Sequence, residues 1–382
     1  MIFPFITKGG CFQVKKSVRS YNVPDYMLFW TIIALLVVGL VAVYTSSHVW
    51  ASFSYDDSTF FLKRQLLFAG AGLLGMIFLS FVPYYFWKKH ALIIIIACFA
   101  LLLVVLIPGI GIVRGGARSW IGVGAFSIQP SEFMKLGLII FIAQRLSTYG
   151  KKITSLMKGF IPLLLLIFAA FGLIMLQPDL GTGVVLVLTC MMLLFIGGAR
   201  IKHFVSLAVI GMVGFVLLIL SAPYRIRRIT AFLNPWDDPL GDGFQIIQSL
   251  YAIGPGGLLG VGLGNSLQKH FYLPEPQTDF IFAILGEELG FIGGTFIILL
   301  FVILLWRGTK VALFAPCQFS RYVAFGIISM LTIQTMINLS VVIGLIPVTG
   351  ITLPFLSYGG SSLTLTLASV GILLNISRYT KS

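Results

Sequence analysis

Residues 278–306 read TDFIFAILGEELGFIGGTFIILLFVILLW, and this stretch decides the fold class. From Phe280 onward it is apolar for more than the roughly 20 residues a helix needs to cross a bilayer, interrupted only by Glu287 and Glu288. Asp279 stands at its threshold, a costly place for a carboxylate unless it is solvated, paired or functional. The same apolar character recurs along the chain, which is 58% hydrophobic and only 10% charged. A soluble domain carries about a quarter charged residues. Lipid offers backbone groups no water to bond, so helices are the expected solution. The alternating ten-residue pattern of a membrane barrel is absent. The reading is an all-α polytopic membrane protein.

Working outward, about ten transmembrane helices are expected, at 27–46, 65–86, 91–110, 131–146, 160–176, 183–196, 203–220, 280–306, 322–345 and 361–376. Residues 1–24 carry Lys8, Lys15, Lys16 and Arg19 without an apolar core, so they read as a cytosolic tail rather than a signal peptide. Residues 25–382 form one membrane domain, with a long external loop at 221–279 between the seventh and eighth spans. Ten spans put both termini on one side. With the termini inside, most of the 26 Lys and Arg are cytosolic, as the positive-inside rule requires. Of the 12 acids only Asp25 then falls inside, so polar chemistry gathers at the outer face.

The net charge of +14 does not point to nucleic acid. The basic residues sit in short loops and tails, with no basic stripe interleaved with aromatics. Cys11, Cys98, Cys190 and Cys317 fall in spans or cytosolic segments, so no disulfide framework is implied, and no Cys/His cluster has zinc spacing. Ser155-Leu156-Met157-Lys158 fits a penicillin-binding SxxK form but lies in a cytosolic loop without the companion motifs. Phe244, Ile246, Ile247, Leu250 and Tyr251 fit an amphipathic interfacial helix.

Four groups of residues could carry chemistry. Asp279 suits either a helix N-cap or a functional carboxylate, with Ala283, Gly286 and Gly290 on its helical face as a packing stripe or a groove for a lipid tail. Glu132 and Lys135 are i,i+3 and favour an internal ion pair; with Asp179 they could instead line a polar cavity at the outer ends of short spans. Arg114, Arg118, Arg225, Arg227, Arg228 and Lys269 suit phosphate or pyrophosphate, since the guanidinium fork is bidentate; contact with lipid headgroups explains one or two of them. Asp237, Asp238 and Asp242 could hold Mg2+ or Mn2+, although acids beside Pro239 and Gly241 more often shape a turn.

Residues 24–382 resemble the SEDS family (shape, elongation, division and sporulation), the FtsW/RodA/SpoVE group. The resemblance is carried by Ala117-Arg118-Ser119-Trp120-Ile121, Gln129-Pro130-Ser131-Glu132, Gln177-Pro178-Asp179-Leu180-Gly181 and Asp238-Pro239-Leu240-Gly241. It continues through Leu273-Pro274-Glu275 to Thr278-Asp279-Phe280, Gly286-Glu287-Glu288-Leu289-Gly290 and the run Pro347 to Gly360 that contains Ser357. The runs 221–234 and 243–257 look most like the family's sporulation member. Ser340 departs from the pattern, where glycine is usual.

The resemblance implies ten helices and a peptidoglycan glycosyltransferase that polymerises lipid II at the outer face of the cytoplasmic membrane. Its substrates would be lipid II and the nascent glycan on undecaprenyl pyrophosphate. A class B penicillin-binding protein, a transpeptidase, would be its partner. Spore cortex or septal wall synthesis is the implied setting, with the forespore membrane as a second location. Carried residue by residue, Asp279 is the essential aspartate, and Glu132, Lys135 and Asp179 match the polar cavity. Arg118, Arg225, Arg227, Arg228, Glu288 and Ser357 join them as substrate-binding candidates. A lipid II flippase, or a non-catalytic scaffold for cell-wall synthases, is the alternative.

Overall fold

Asp25 starts the first helix, α1 (Tyr26–Tyr55), by accepting the Leu28 amide on its carboxylate at 2.9 Å. The second helix, α2 (Phe60–Phe81), stops ahead of Pro83, and α3 (Tyr84–Val104) begins directly after it. The computed structural model describes residues 23–114, 117–123, 126–220, 232–241 and 243–380. After α3 comes a departure from the all-helical expectation: a three-stranded antiparallel sheet of β1 (Gly111–Arg114), β2 (Ala117–Val123) and β3 (Phe126–Ile128). Ile121 of β2 lies opposite Gly111 on one side and Ile128 on the other. The strands sit between two helix ends, where backbone groups can pair with each other outside the lipid-filled region.

The remaining helices are α4 (Pro130–Tyr149), α5 (Ile161–Met175), α6 (Leu180–Ile196), α7 (Ile201–Leu220), the short α8 (Phe244–Ile253), α9 (Ile281–Leu313), α10 (Gln318–Val342) and α11 (Gly360–Ser377). Seven described helices are long and apolar enough to cross a membrane; α6 is apolar but shorter. Helix α4 carries Glu132, Lys135 and Arg145, which lowers its apolar character. Helices thus occupy all ten expected places, while length and composition qualify seven. Several run past their expected bounds: α1 continues to Tyr55 and α9 to Leu313.

Close helix approach supplies much of the packing. A Cβ at Gly371 of α11 would stand 2.6 Å from the Met76 carbonyl oxygen of α2, so only glycine lets these two backbones meet. At one end of the bundle Asp25 pairs with Arg307 of α9 at 2.6 Å, and its amide donates to the Ser377 hydroxyl at the end of α11. The first and last helices therefore begin and end at the same level. Helix α8 packs its Ile246 and Ile247 inward, and its Ser249 hydroxyl donates to the Val342 carbonyl at 2.7 Å.

Helix α9 is broken at Gly290, whose φ of 65° and ψ of −163° are not helical. The loop 257–262 repairs the break. The Phe291 and Ile292 amides donate to the Gly257 and Leu258 carbonyls, and the Glu287 and Glu288 carbonyls accept from the Val261 and Gly262 amides. A Cβ on Gly260 would meet the Glu288 carbonyl oxygen at 2.1 Å, so the repair depends on glycine there. Of the two readings of Ala283, Gly286 and Gly290, this favours the packing stripe over the lipid-tail groove. The stripe ends at the break, and Gly256 of the loop lies against the Gly286 carbonyl.

Candidate active site

The loop before α9 brings Asp279 to the protein surface, where its side chain is half-buried. Phe280, not Asp279, is the N-cap of α9, so the capping explanation of this carboxylate falls away. Its Oδ1 accepts from the Thr278 hydroxyl at 2.8 Å, while Thr278 is itself fixed by bonds to the Glu275 carbonyl. Burial pushes the Asp279 carboxyl above the ordinary carboxylate range, more than the Thr278 hydroxyl and its own amide pull it down. The nearby charge of Glu275 adds to the rise. No basic side chain pairs with Asp279 among the described residues.

Helix α10 holds this position from behind. Asn338, fully buried, donates at 2.7 Å to the Asp279 carbonyl and at 2.8 Å to the Ile351 carbonyl. One turn away on the same helix, Gln334 donates to the Thr352 carbonyl at 3.1 Å and accepts from Lys135 at 3.4 Å. Lys135 is ion-paired with Glu132 at 2.9 Å, both buried, which is the i,i+3 pair the spacing favoured. At the start of α4 Gln129 donates to Asp179 at 2.8 Å, and Asp179 caps α6 by accepting the Thr182 amide. A turn of α10 thus ties the Glu132–Lys135 pair and Asp279 to one loop, 351–352. Sequence reading missed Gln334 and Asn338 as functional candidates. The available signal was two amides spaced i,i+4 within a span, Gln334 and Asn338.

Other candidates are placed differently. Glu288 was expected to face substrate; it is buried and ion-paired with Lys269 at 3.3 Å. Lys269, expected among the phosphate-binding bases, is equally buried and also bonds the Gly264 carbonyl. Glu287 accepts from the Ser266 hydroxyl and from the Leu267 amide at 2.8 Å. The two glutamates therefore clamp the loop onto α9. Ser357 is also buried: its hydroxyl accepts the Leu353 amide at 2.8 Å, and its carbonyl accepts from Gln65 at 3.0 Å. It braces the loop before α11 instead of presenting a hydroxyl outward. Arg118 is half-buried on β2, its stem lying over Gly111. Arg225, Arg227 and Arg228 lie outside the described residues, as does Asp242.

Two of the three acids, Asp237 and Asp238, lie among the described residues and take local contacts. Asp237 accepts from Asn234 at 2.6 Å, and the Asp238 carboxylate folds over Gly241. No group of three His, Cys, Asp or Glu side chains stands together among the described residues. These contacts are those of a turn.

A helical membrane protein with a buried ion pair, a broken helix and, at one end, a carboxylate that no described cation pairs is the class that fold and site define. The chain belongs to the FtsW/RodA/SpoVE family, described as cell cycle protein, which matches residues 26–382. It is 64% identical over 358 residues to stage V sporulation protein E of Bacillus subtilis (strain 168), covering 94% of this chain and 98% of that protein. It is 43% identical to a probable peptidoglycan glycosyltransferase FtsW of Geobacter sp. (strain M18), covering 92% and 96%. Among solved structures, it resembles a chain of a peptidoglycan synthase complex described for the coordination of polymerization and crosslinking. The TM-score is 0.77 at 33% identity, over 94% of this chain and 99% of that one. The crystal structure of the rod shape determining protein RodA of Thermus thermophilus matches with a TM-score of 0.69 at 30% identity, covering 94% and 98%.

Proposed function

We propose that this chain is a peptidoglycan glycosyltransferase that polymerises lipid II at the outer face of the cytoplasmic membrane, with Asp279 as its general base. The names of the relatives support the activity, and the observation that carries the base is the state of Asp279: half-buried, raised in pKa, anchored through its carbonyl by Asn338, and without a cation partner among the described residues. In this reading the Asp279 carboxylate takes the proton from the 4-hydroxyl of the acceptor N-acetylglucosamine. The freed oxygen electrons form a bond to C1 of the donor N-acetylmuramic acid. The C1–O bond to phosphate breaks, its electrons leave with undecaprenyl pyrophosphate, and the linkage inverts from α to β. Pyrophosphate is a good leaving group, so no second carboxylate is required as acid. Glu132, Lys135 and Asp179 shape the polar interior beside the base, and Arg118, with Arg225, Arg227 and Arg228, offers charge for the pyrophosphate.

Ten spans with both termini cytosolic are part of this proposal, as is a class B penicillin-binding protein as crosslinking partner. The partner is supported by the synthase complex among the structural neighbours. A role in spore cortex or septal wall is supported by the sporulation relative.

The test is purified lipid II supplied to the full chain together with its transpeptidase. Glycan strands are the expected product. Translocation of labelled lipid II across liposomes with no strand formed would replace the polymerase with a carrier. Neither product would leave only a scaffold.

A further inference from the structure

Where the two ends of the described chain meet, a slot of about 140 Å3 opens between α1, α2 and α11. Phe29, Met76, Ile77 and Leu374 give it apolar walls, and its polar members are Ser80 and Arg378. Ile77 and Phe81 are exposed, so the slot faces outward, toward lipid, rather than into the bundle. Tyr26, Trp30 and Tyr85 are exposed as well and sit at the same helix ends, the aromatic belt expected at headgroup depth.

Arg378 is the unexplained member. Its guanidinium lies 4.5 Å from the centre of the Phe81 ring and reaches the Ser80 hydroxyl only at 3.5 Å. Its Nε is buried with no partner among the described residues. The acid next to the slot, Asp25, is already committed to Arg307 at 2.6 Å and the Leu28 amide at 2.9 Å. A buried guanidinium N–H without an acceptor is costly, and the planar fork of Nε and Nη suits two oxygens of one phosphate.

We propose that this slot binds an anionic glycerophospholipid, with the phosphate on Arg378 and the start of one acyl chain between Phe29, Met76 and Ile77. Basic pockets between membrane helices at headgroup depth take such lipids. Bound there, the lipid joins α1, α2 and α11 from outside, at the end of the bundle away from Asp279. The proposal does not depend on the polymerase reading.

Native mass spectrometry of the purified full chain, titrated with phosphatidylglycerol or phosphatidylcholine of matched chains, reads the first lipid bound. The wild type is expected to hold phosphatidylglycerol about tenfold more tightly than phosphatidylcholine, the scale of one charge-assisted contact. Arg378→Gln should bring the two lipids level. Ile77→Trp, which fills the slot and leaves the guanidinium in place, should weaken both, and it serves if Arg378→Gln does not fold. Phosphatidylglycerol with a photoreactive chain should label residues 76–81 or Leu374. The proposal is overturned by equal affinity for the two lipids in the wild type, by unchanged binding in either variant, or by labelling elsewhere.

Discussion

Asp279 and the Glu287–Glu288 pair lie within ten residues of each other and have opposite surroundings. The glutamates are buried and answered: Glu287 by a hydroxyl and an amide, Glu288 by Lys269. Asp279 is half-buried and, among the described residues, has its neighbour's hydroxyl and its own amide but no cation. An acid whose charge is met by the protein holds a loop in place. One that no described cation meets, at the edge of the protein, is the one proposed above as the base. The contrast sets two paired carboxylates of a single helix against the proposed base on the loop leading into it.

The largest expected effect is on turnover. Asp279→Asn should lower the rate of lipid II polymerisation by about 10²–10⁴-fold, the usual contribution of a general base, when strand formation is followed on gels. Its unfolding temperature should equal or exceed that of the wild type. The sign follows from the raised pKa: a carboxyl that holds its proton more tightly folded than unfolded adds stability at low pH, and loses it as pH rises through the folded value. A neutral amide removes that cost near pH 7.

The clamp should behave in the opposite way. Lys269→Ala strands Glu288 in the interior and is expected to cost about 3–5 kcal/mol of stability. Activity should fall only as far as the folded fraction falls. The double variant Lys269→Met, Glu288→Leu should recover most of the loss, since apolar residues can replace a buried pair. Thermal unfolding of the three proteins in detergent decides this. If Lys269→Ala abolished turnover while leaving stability intact, the division between the two acidic regions would be wrong.

Smaller effects grade the comparison further. Asn338→Ala removes the donor to two carbonyls and is expected to cost about 1–3 kcal/mol in an unfolding measurement. Its KM should rise along with the fall in kcat, because the variant displaces Asp279 without removing it. At the exposed loop between α1 and α2, Lys63 pairs with Asp57 at 2.9 Å, and with Thr59 holds that carboxyl down at about 2. Lys63→Ala there should leave the unfolding temperature unchanged, since solvent screens the pair.

Much of the architecture was legible because lipid imposes length and hydropathy on each span. The positions of the helices, the Glu132–Lys135 pair and the placing of Asp179 just ahead of a span could all be read from the sequence. What could not be read depended on contacts distant in sequence. Lys269 looked like a free external cation because its partner lies 19 residues on, beyond a turn-rich loop. The stripe through Gly290 looked continuous because a 100° helical projection assumes the helix is unbroken, and the break is stable only with residues 257–262 laid across it. The sheet at 111–128 was hidden between two spans, in a segment too short and glycine-rich to stand out. Asn338 could not be read as a brace, since its two acceptors, Asp279 and Ile351, come from separate loops.

The pH dependence of strand formation, measured for the wild type and Asp279→Asn under the same conditions, reaches the central claim most directly. A base with a raised pKa is active only when ionised, so wild-type kcat/KM should fall as pH drops through a value above the ordinary carboxylate range of about 4. The variant should be slow at every pH and lack that limb. A variant as fast as the wild type, with the same acid limb, would contradict the account.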